Sequence, residues 1–358
     1  MGTGYAGGAH GWIRWTLLVA VLLAVALPRF DLHDPGAIRK LTAGATATRY
    51  GLPLDVEGYI RLGEYFRGET PADSLIPPYC YRLLVPFAAS ALPWRVQTSI
   101  NVLDVLALLL TLVLLDRLLL GLGFDTRART IGGLLFAVSF PTFYYGAIGF
   151  VDPVVLLIET AMILAVFRGR TIAFTVLLVA GVLVKETTAA MAFLPGAWAW
   201  ARHRAAGPDA RRVAALAAVA AATALAVRTL APFPERGWLW LPSLGSLADN
   251  LSRPRAILSL VFTLGLPAAC ATIAVVGERA KRRLSPEHLR FLLAGSGLTI
   301  LLYIYSLFSA YADGRVIWAA YPFLIPISVT LWGSAAVPSR YAPSGGAPAD
   351  ATLSLAPR

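Results

Sequence analysis

An all-α, polytopic transmembrane helical bundle of about ten spans is the fold this sequence predicts, and three observations predict it. Of 358 residues, 57% are apolar and only 14% are charged, and the mean hydropathy is +0.67, far from the balance of a soluble domain. The apolar residues fall in runs close to the ~20 that a helix needs to cross the hydrocarbon of a bilayer. The charged residues fall between those runs, with the arginines gathered in alternate connections.

Taken in order, residues 1–11 read as a flexible tail before a transmembrane domain of 12–337. Its first run, 12–29, leads into Arg29, Phe30 and Asp31 with no small-residue cleavage site, so it reads as a retained span. The polar stretch 31–97 reads as a long outer loop, partly helical, whose segment 83–94 is too short to cross and suits the interface. Further runs lie at 98–120, 130–150, 153–167, 171–185, 187–201, 212–231, 256–277, 290–310 and 315–337. Three of these, from 153 to 201, hold about 15 residues each, ~22 Å of helix against ~30 Å of hydrocarbon. Either they extend past these bounds or they pair as hairpins with sunken tips. The Ala-, Pro-, Ser- and Gly-rich tail 338–358 reads as disordered.

Threading the runs from a cytoplasmic amino terminus puts DRLLLGLGFDTRAR, RGR, ARHRAAGPDARR, GERAKRRLSPEHLR and both tails on one side. That side carries 17 Lys and Arg against 6 Asp and Glu; the other carries 14 against 13. Short basic loops are retained in the cytoplasm, so both termini are expected there. The net charge of +11 is then a topology signal and not a nucleic-acid footprint.

Several chemistries lack their residues. Cys80 and Cys270 are too few for a disulfide framework and read as packing residues. No histidine lies in a span, which removes intramembrane His acyl transfer and Ser-His proteolysis, and no H-E-x-x-H, phosphate-loop or dinucleotide signature is present.

The informative charges stand at the outer ends of the runs, where each costs roughly 2.5–3.5 kcal/mol near hydrocarbon. The stretch Asp55 to Pro86 supplies Asp55, Glu57 and Arg82 among the aromatics Tyr59, Tyr79 and Tyr81. GFVDP supplies Asp152, VLVKETT supplies Lys185 and Glu186, and SAYADGR supplies Tyr311, Asp313 and Arg315. Each also has a plain reading. Glu57 and Arg61, four apart, suit a surface ion pair. Asp152 before Pro153 suits a helix cap, and Lys185 beside Glu186 suits a self-neutralised turn. Asn101 and Asp104, three apart, suit interhelical glue. Glu159, in mid-span, is expected to be protonated or paired.

A carboxylate for an acceptor hydroxyl, cations for a departing phosphate and an aromatic wall for a sugar are the parts of glycosyl transfer from a lipid-linked donor. D-x-E-G-Y-x-x-x-G-x-Y-F-x-G, then P-P-Y-x-Y-R-L-L-V-P, with V-D-P and V-K-E downstream, resembles bacterial members of the GT-C superfamily of multi-span glycosyltransferases, across roughly residues 12–337. The resemblance implies transfer of a sugar from a polyprenyl-phosphate donor to a cell-envelope glycan or lipid acceptor, at the outer face of the bacterial inner membrane among membrane lipids. It implies Asp55 as base, Glu57 as its deputy, and Asp152 shaping the acceptor site. It implies Arg82, Lys185 and Arg315 on the donor phosphate, with Tyr59, Tyr79, Tyr81 and Tyr311 as the wall and Glu186 and Asp313 in support. Members that bind a divalent cation would hold it at Asp55 and Asp152; here Val56 separates the two loop acids that many relatives carry side by side. A transporter or flippase of a lipid-linked glycan, whose halves should show internal repeats, and a non-catalytic subunit of an envelope assembly are the alternatives.

Overall fold

Helix formation follows the apolar runs, but backbone breaks divide several of them. The computed structural model describes residues 7–30, 53–202, 206–231, 233, 241–309 and 312–333, so the tail 338–358 and loop positions 31–52 lie outside the described residues. Among the described residues there is no strand. The helices are α1 (Gly7–Ala26), α2 (Leu54–Phe66), α3 (Leu84–Ser90), α4 (Val96–Gly121), α5 (Thr126–Ala137), α6 (Phe140–Tyr145), α7 (Asp152–Phe167) and α8 (Thr171–Val184). They continue as α9 (Leu194–Ala201), α10 (Ala206–Leu230), α11 (Leu244–Leu251), α12 (Pro254–Val276), α13 (Arg279–Arg283), α14 (Pro286–Ser309), α15 (Arg315–Trp318) and α16 (Tyr321–Ser328).

Among the described residues, four stretches are long and apolar enough to cross a membrane: Gly11–Arg29, Ala210–Leu230, Pro254–Val276 and Pro286–Ser309. Only 11–33% of each is buried against protein. Their outward leucines, isoleucines and phenylalanines, such as Leu225, Phe262, Leu266 and Leu301, are exposed; a surface this apolar fits lipid and not water. The chain is a membrane protein on this evidence.

The inner helices have the opposite character. In α7, 13 of 16 residues are buried, so it is the central post, packed along α4 and α8. At 16 residues it spans only ~24 Å. The run 130–150 is not one helix: the Ser139 hydroxyl accepts from the Thr142 amide and Pro141 opens α6, so a new helix starts there. The remainder, 146–151, turns irregularly through Gly149 at φ +95°. Residues 187–201 begin as a 3₁₀ stretch, Glu186–Phe193, before α9, and 315–337 divides into α15, α16 and the 3₁₀ turn Val329–Leu331. The segment 83–94 contains the seven-residue α3, too short to cross. The breaks at 146–151, at the start of Glu186–Phe193 and before α15 place non-helical backbone beside the charged residues, whereas the Val329–Leu331 turn packs against α13.

Candidate functional site

Five segments meet at those charged residues: the first turns of α2, the turn Tyr79–Arg82, the start of α7, the junction of α8 with the 3₁₀ stretch, and the loop before α15. Helical spacing decides which side of α2 faces inward. Asp55 and Tyr59, four apart, share one face, and Glu57 and Arg61 share another. Gly58 admits the Tyr79 segment, since a Cβ there would stand 2.7 Å from Tyr79 Cβ. The turn 146–151 is held close by Gly149, whose missing Cβ would meet Val56 Cγ1 at 2.9 Å. The loop before α15 is fastened by Asn250, whose Oδ1 accepts from the Ala312 amide at 3.1 Å, and by Ser259, whose hydroxyl accepts from the Gly314 amide at 2.7 Å.

Arg315 is the hub. Its guanidinium donates to Asp55 and, through Nε, to Asp313 Oδ2 at 2.8 Å; its Nη1 lies 4.0 Å from Asp152 Oδ2. It rests over the Phe150 ring at 3.9 Å. Lys185 Nζ donates to Asp152 Oδ1 at 2.7 Å. Beside this group Arg82 grips Glu186 with both prongs, Nε to Oε2 at 3.0 Å and Nη2 to Oε1 at 2.8 Å, and its third nitrogen donates to the Tyr59 hydroxyl. Tyr79 lies 5.3 Å from the Arg82 guanidinium and edge-on to Tyr59 at 5.8 Å.

The electrostatics follow from burial set against these pairings. Burial first, and the neighbouring Asp55 second, push the Tyr79 hydroxyl up to about 12, so it stays a hydrogen-bond donor throughout the physiological range. Burial would raise Glu186, but Arg82 outweighs it and brings the carboxyl down to about 2. For Asp313 burial prevails over Arg315 and the value is raised.

Below the rim, a cavity of about 20 Å³ runs down one face of α7, room for roughly one water. Asp152, Val155, Leu156 and Glu159 line it, opposite Lys185, Thr187, Arg315 and Trp318. Glu159 is 2% exposed. Among the described residues its Oε2 has no hydrogen-bond partner, and neither has the Trp318 indole nitrogen.

Of the residues singled out by sequence, Asp55, Tyr59, Tyr79, Arg82, Asp152, Lys185, Glu186, Asp313 and Arg315 come together. Tyr311 lies outside the described residues. Glu57 does not join: two positions from Asp55 it points elsewhere, buried and held by Arg61 at 2.9 Å. Tyr81 is also turned away, packed with Leu62, Leu75, Cys80 and Phe233 in a second apolar cluster. Asp152 is no cap here, since its carboxylate goes to Lys185 and the helix start has no side-chain cap. Lys185 and Glu186 do not neutralise each other, because each binds a different partner. Asn101 and Asp104 are fully buried, and the Asp104 carboxylate faces the Gly149 backbone, in the turn before α7.

Asp55 and Asp152 do not fit a metal ion as they stand, because Arg315 sits between them where a divalent cation would have to go. Among the described residues no three His, Cys, Asp or Glu side chains are grouped to hold one. Phe150, Ser259, Thr187 and Trp318 were missed by sequence reasoning. An aromatic or hydroxyl residue within an apolar run carries no penalty that would mark it. Compared with known proteins, the chain matches no family model, no curated protein and no solved structure.

Proposed function

We propose that this chain is a membrane glycosyltransferase of the GT-C type. It moves a sugar from a polyprenyl-phosphate donor to a cell-envelope glycan or lipid acceptor, at the outer face of a bacterial inner membrane. In this reading the ten apolar runs are spans or paired half-spans, and both termini are cytoplasmic. The observation that carries the reading is the meeting of three aspartates with Arg82, Lys185 and Arg315, drawn from five separate segments to one end of the bundle.

An arriving phosphate competes for those cations, and charge-assisted pairing to arginine suits it. Each cation it takes releases a carboxylate. Asp55, freed from Arg315, then accepts the proton of the acceptor hydroxyl. The acceptor oxygen bonds the anomeric carbon as the sugar–phosphate bond breaks, and the lipid phosphate leaves with the electron pair, steadied by Arg82 and Lys185. Tyr59 and Tyr79 flank the sugar.

Transport of a lipid-linked glycan is the second reading, favoured by broken backbone such as the kink at Gly265, φ +39°, above Pro267 in α12. One assay separates the two. Reconstituted vesicles supplied with polyprenyl-phosphate sugars should form glycosylated acceptor, and Asp55→Asn should lower turnover by about 10²–10⁴-fold. Undiminished transfer by a normally inserted variant overturns the assignment, and movement of lipid without bond formation supports the transporter.

A further inference from the structure

The cavity beneath the charged rim has features that the ion pairs do not require. It extends from Asp152 to Glu159, seven residues and so ~10 Å along α7, and is sized for about one water. Among the described residues, the Glu159 Oε2 and the Trp318 indole nitrogen on its walls find no hydrogen-bond partner. Buried polar groups are ordinarily hydrogen-bonded, and an ionisable residue kept within a span marks a functional place. The rest of the wall is mixed: Asp152, Lys185, Thr187 and Arg315 stand among the aliphatic Val155, Leu156, Leu302 and Val316. The volume and the two unpartnered groups suit one hydroxyl projecting from a ring whose other polar groups stay at the charged rim.

We infer that this cavity is a recognition subsite for a single hydroxyl of the transferred sugar, with Glu159 accepting its hydrogen bond and Trp318 donating to its oxygen. The inference rests on the glycosyl-transfer reading above, because Lys185 and Arg315, which share the cavity wall, would there hold the phosphate next to the sugar. Glu159 takes no part in the chemistry; it sets specificity. A site built to pair with a hydroxyl discriminates strongly against the analogue that lacks it, because its own polar groups are then left buried and unpaired.

The test uses the full chain in vesicles with a panel of polyprenyl-phosphate hexoses and pentoses, followed by each singly deoxygenated form of the best donor. The wild type should discriminate against one deoxy donor far more than the others, on the order of 10²-fold or more in kcat/KM. Glu159→Leu and Trp318→Phe should lose activity on the parent sugar while keeping it on that one deoxy donor, so the preference collapses at a single position. Loss shared equally by every donor, or an unchanged preference in both variants, overturns the subsite and leaves a structural water in its place. Absence of transfer by the wild type with every donor counts instead against the glycosyltransferase reading, and the subsite falls with it.

Discussion

Arg315 holds Asp55 and Asp313 and stands 4.0 Å from Asp152, so its removal leaves Asp55 and Asp313 without a counter-charge while Asp152 keeps Lys185. Breaking a buried pair from one side costs about 3–5 kcal/mol. Arg315→Met should therefore lower the unfolding midpoint of the detergent-solubilised protein sharply, and adding Asp55→Asn with Asp313→Asn should recover most of the loss. An additive triple variant would mean that the groups are not coupled. The Arg82–Glu186 pair makes a pH prediction. Glu186 is brought from 4.5 down to about 2, so the folded value lies below the unfolded one. The contribution is complete above pH 4.5 and is lost as pH falls toward 2. The midpoint difference between wild type and Glu186→Gln should close over that window; a difference constant with pH would sink it. Asp152, Lys185 and Arg315 were legible in the sequence because a charge bounding an apolar run is costly to keep. Glu57 pairs with Arg61, four positions on, as helical spacing allows, and so stands apart from Asp55.

At the scale of elements, the turn 146–151 decides where Asp152 stands. Gly149 occupies it at φ +95°, with Val56 Cγ1 2.9 Å from where a Cβ would be. Gly149→Ala should cost about 1–3 kcal/mol through backbone strain. It should also reduce transfer more than an equally destabilising change far from the site, because the start of α7 shifts relative to α2. Thermal unfolding and initial rates on the same preparation check this, and a variant that loses stability while keeping full turnover would refute the link. The apolar runs foretold α1, α4, α12 and α14 closely, since length and composition are what a bilayer selects. They did not foretell the division of 130–150. Ser139 followed by Pro141 carries a helix-start signal within the run, but continuous hydropathy masks it, and the irregular backbone is stable only because surrounding helices cover it.

For the whole molecule, the glycosyl-transfer reading requires an orientation that can be measured. The ion-pair cluster and the basic helix α13 stand at functionally opposed ends in the glycosyl-transfer reading, with the cluster outside and Arg279–Arg283 inside. A nucleotide-linked donor would be met from the cytoplasm, whereas a polyprenyl-phosphate donor presented on the outer leaflet requires the cluster to face out. Asp73 in the loop after α2 is exposed, and the Lys281 side chain is 61% exposed. In a background with Cys80→Ser and Cys270→Ser, Asp73→Cys should react with an impermeant thiol reagent on intact cells, and Lys281→Cys only after permeabilisation. The opposite labelling would turn the cluster to the cytoplasm and remove the lipid-phosphate donor from its reach, whatever the geometry of Asp55 and Arg315. Labelling of both sites on intact cells would place an even number of crossings where the alternation of basic loops requires an odd one between residues 73 and 281.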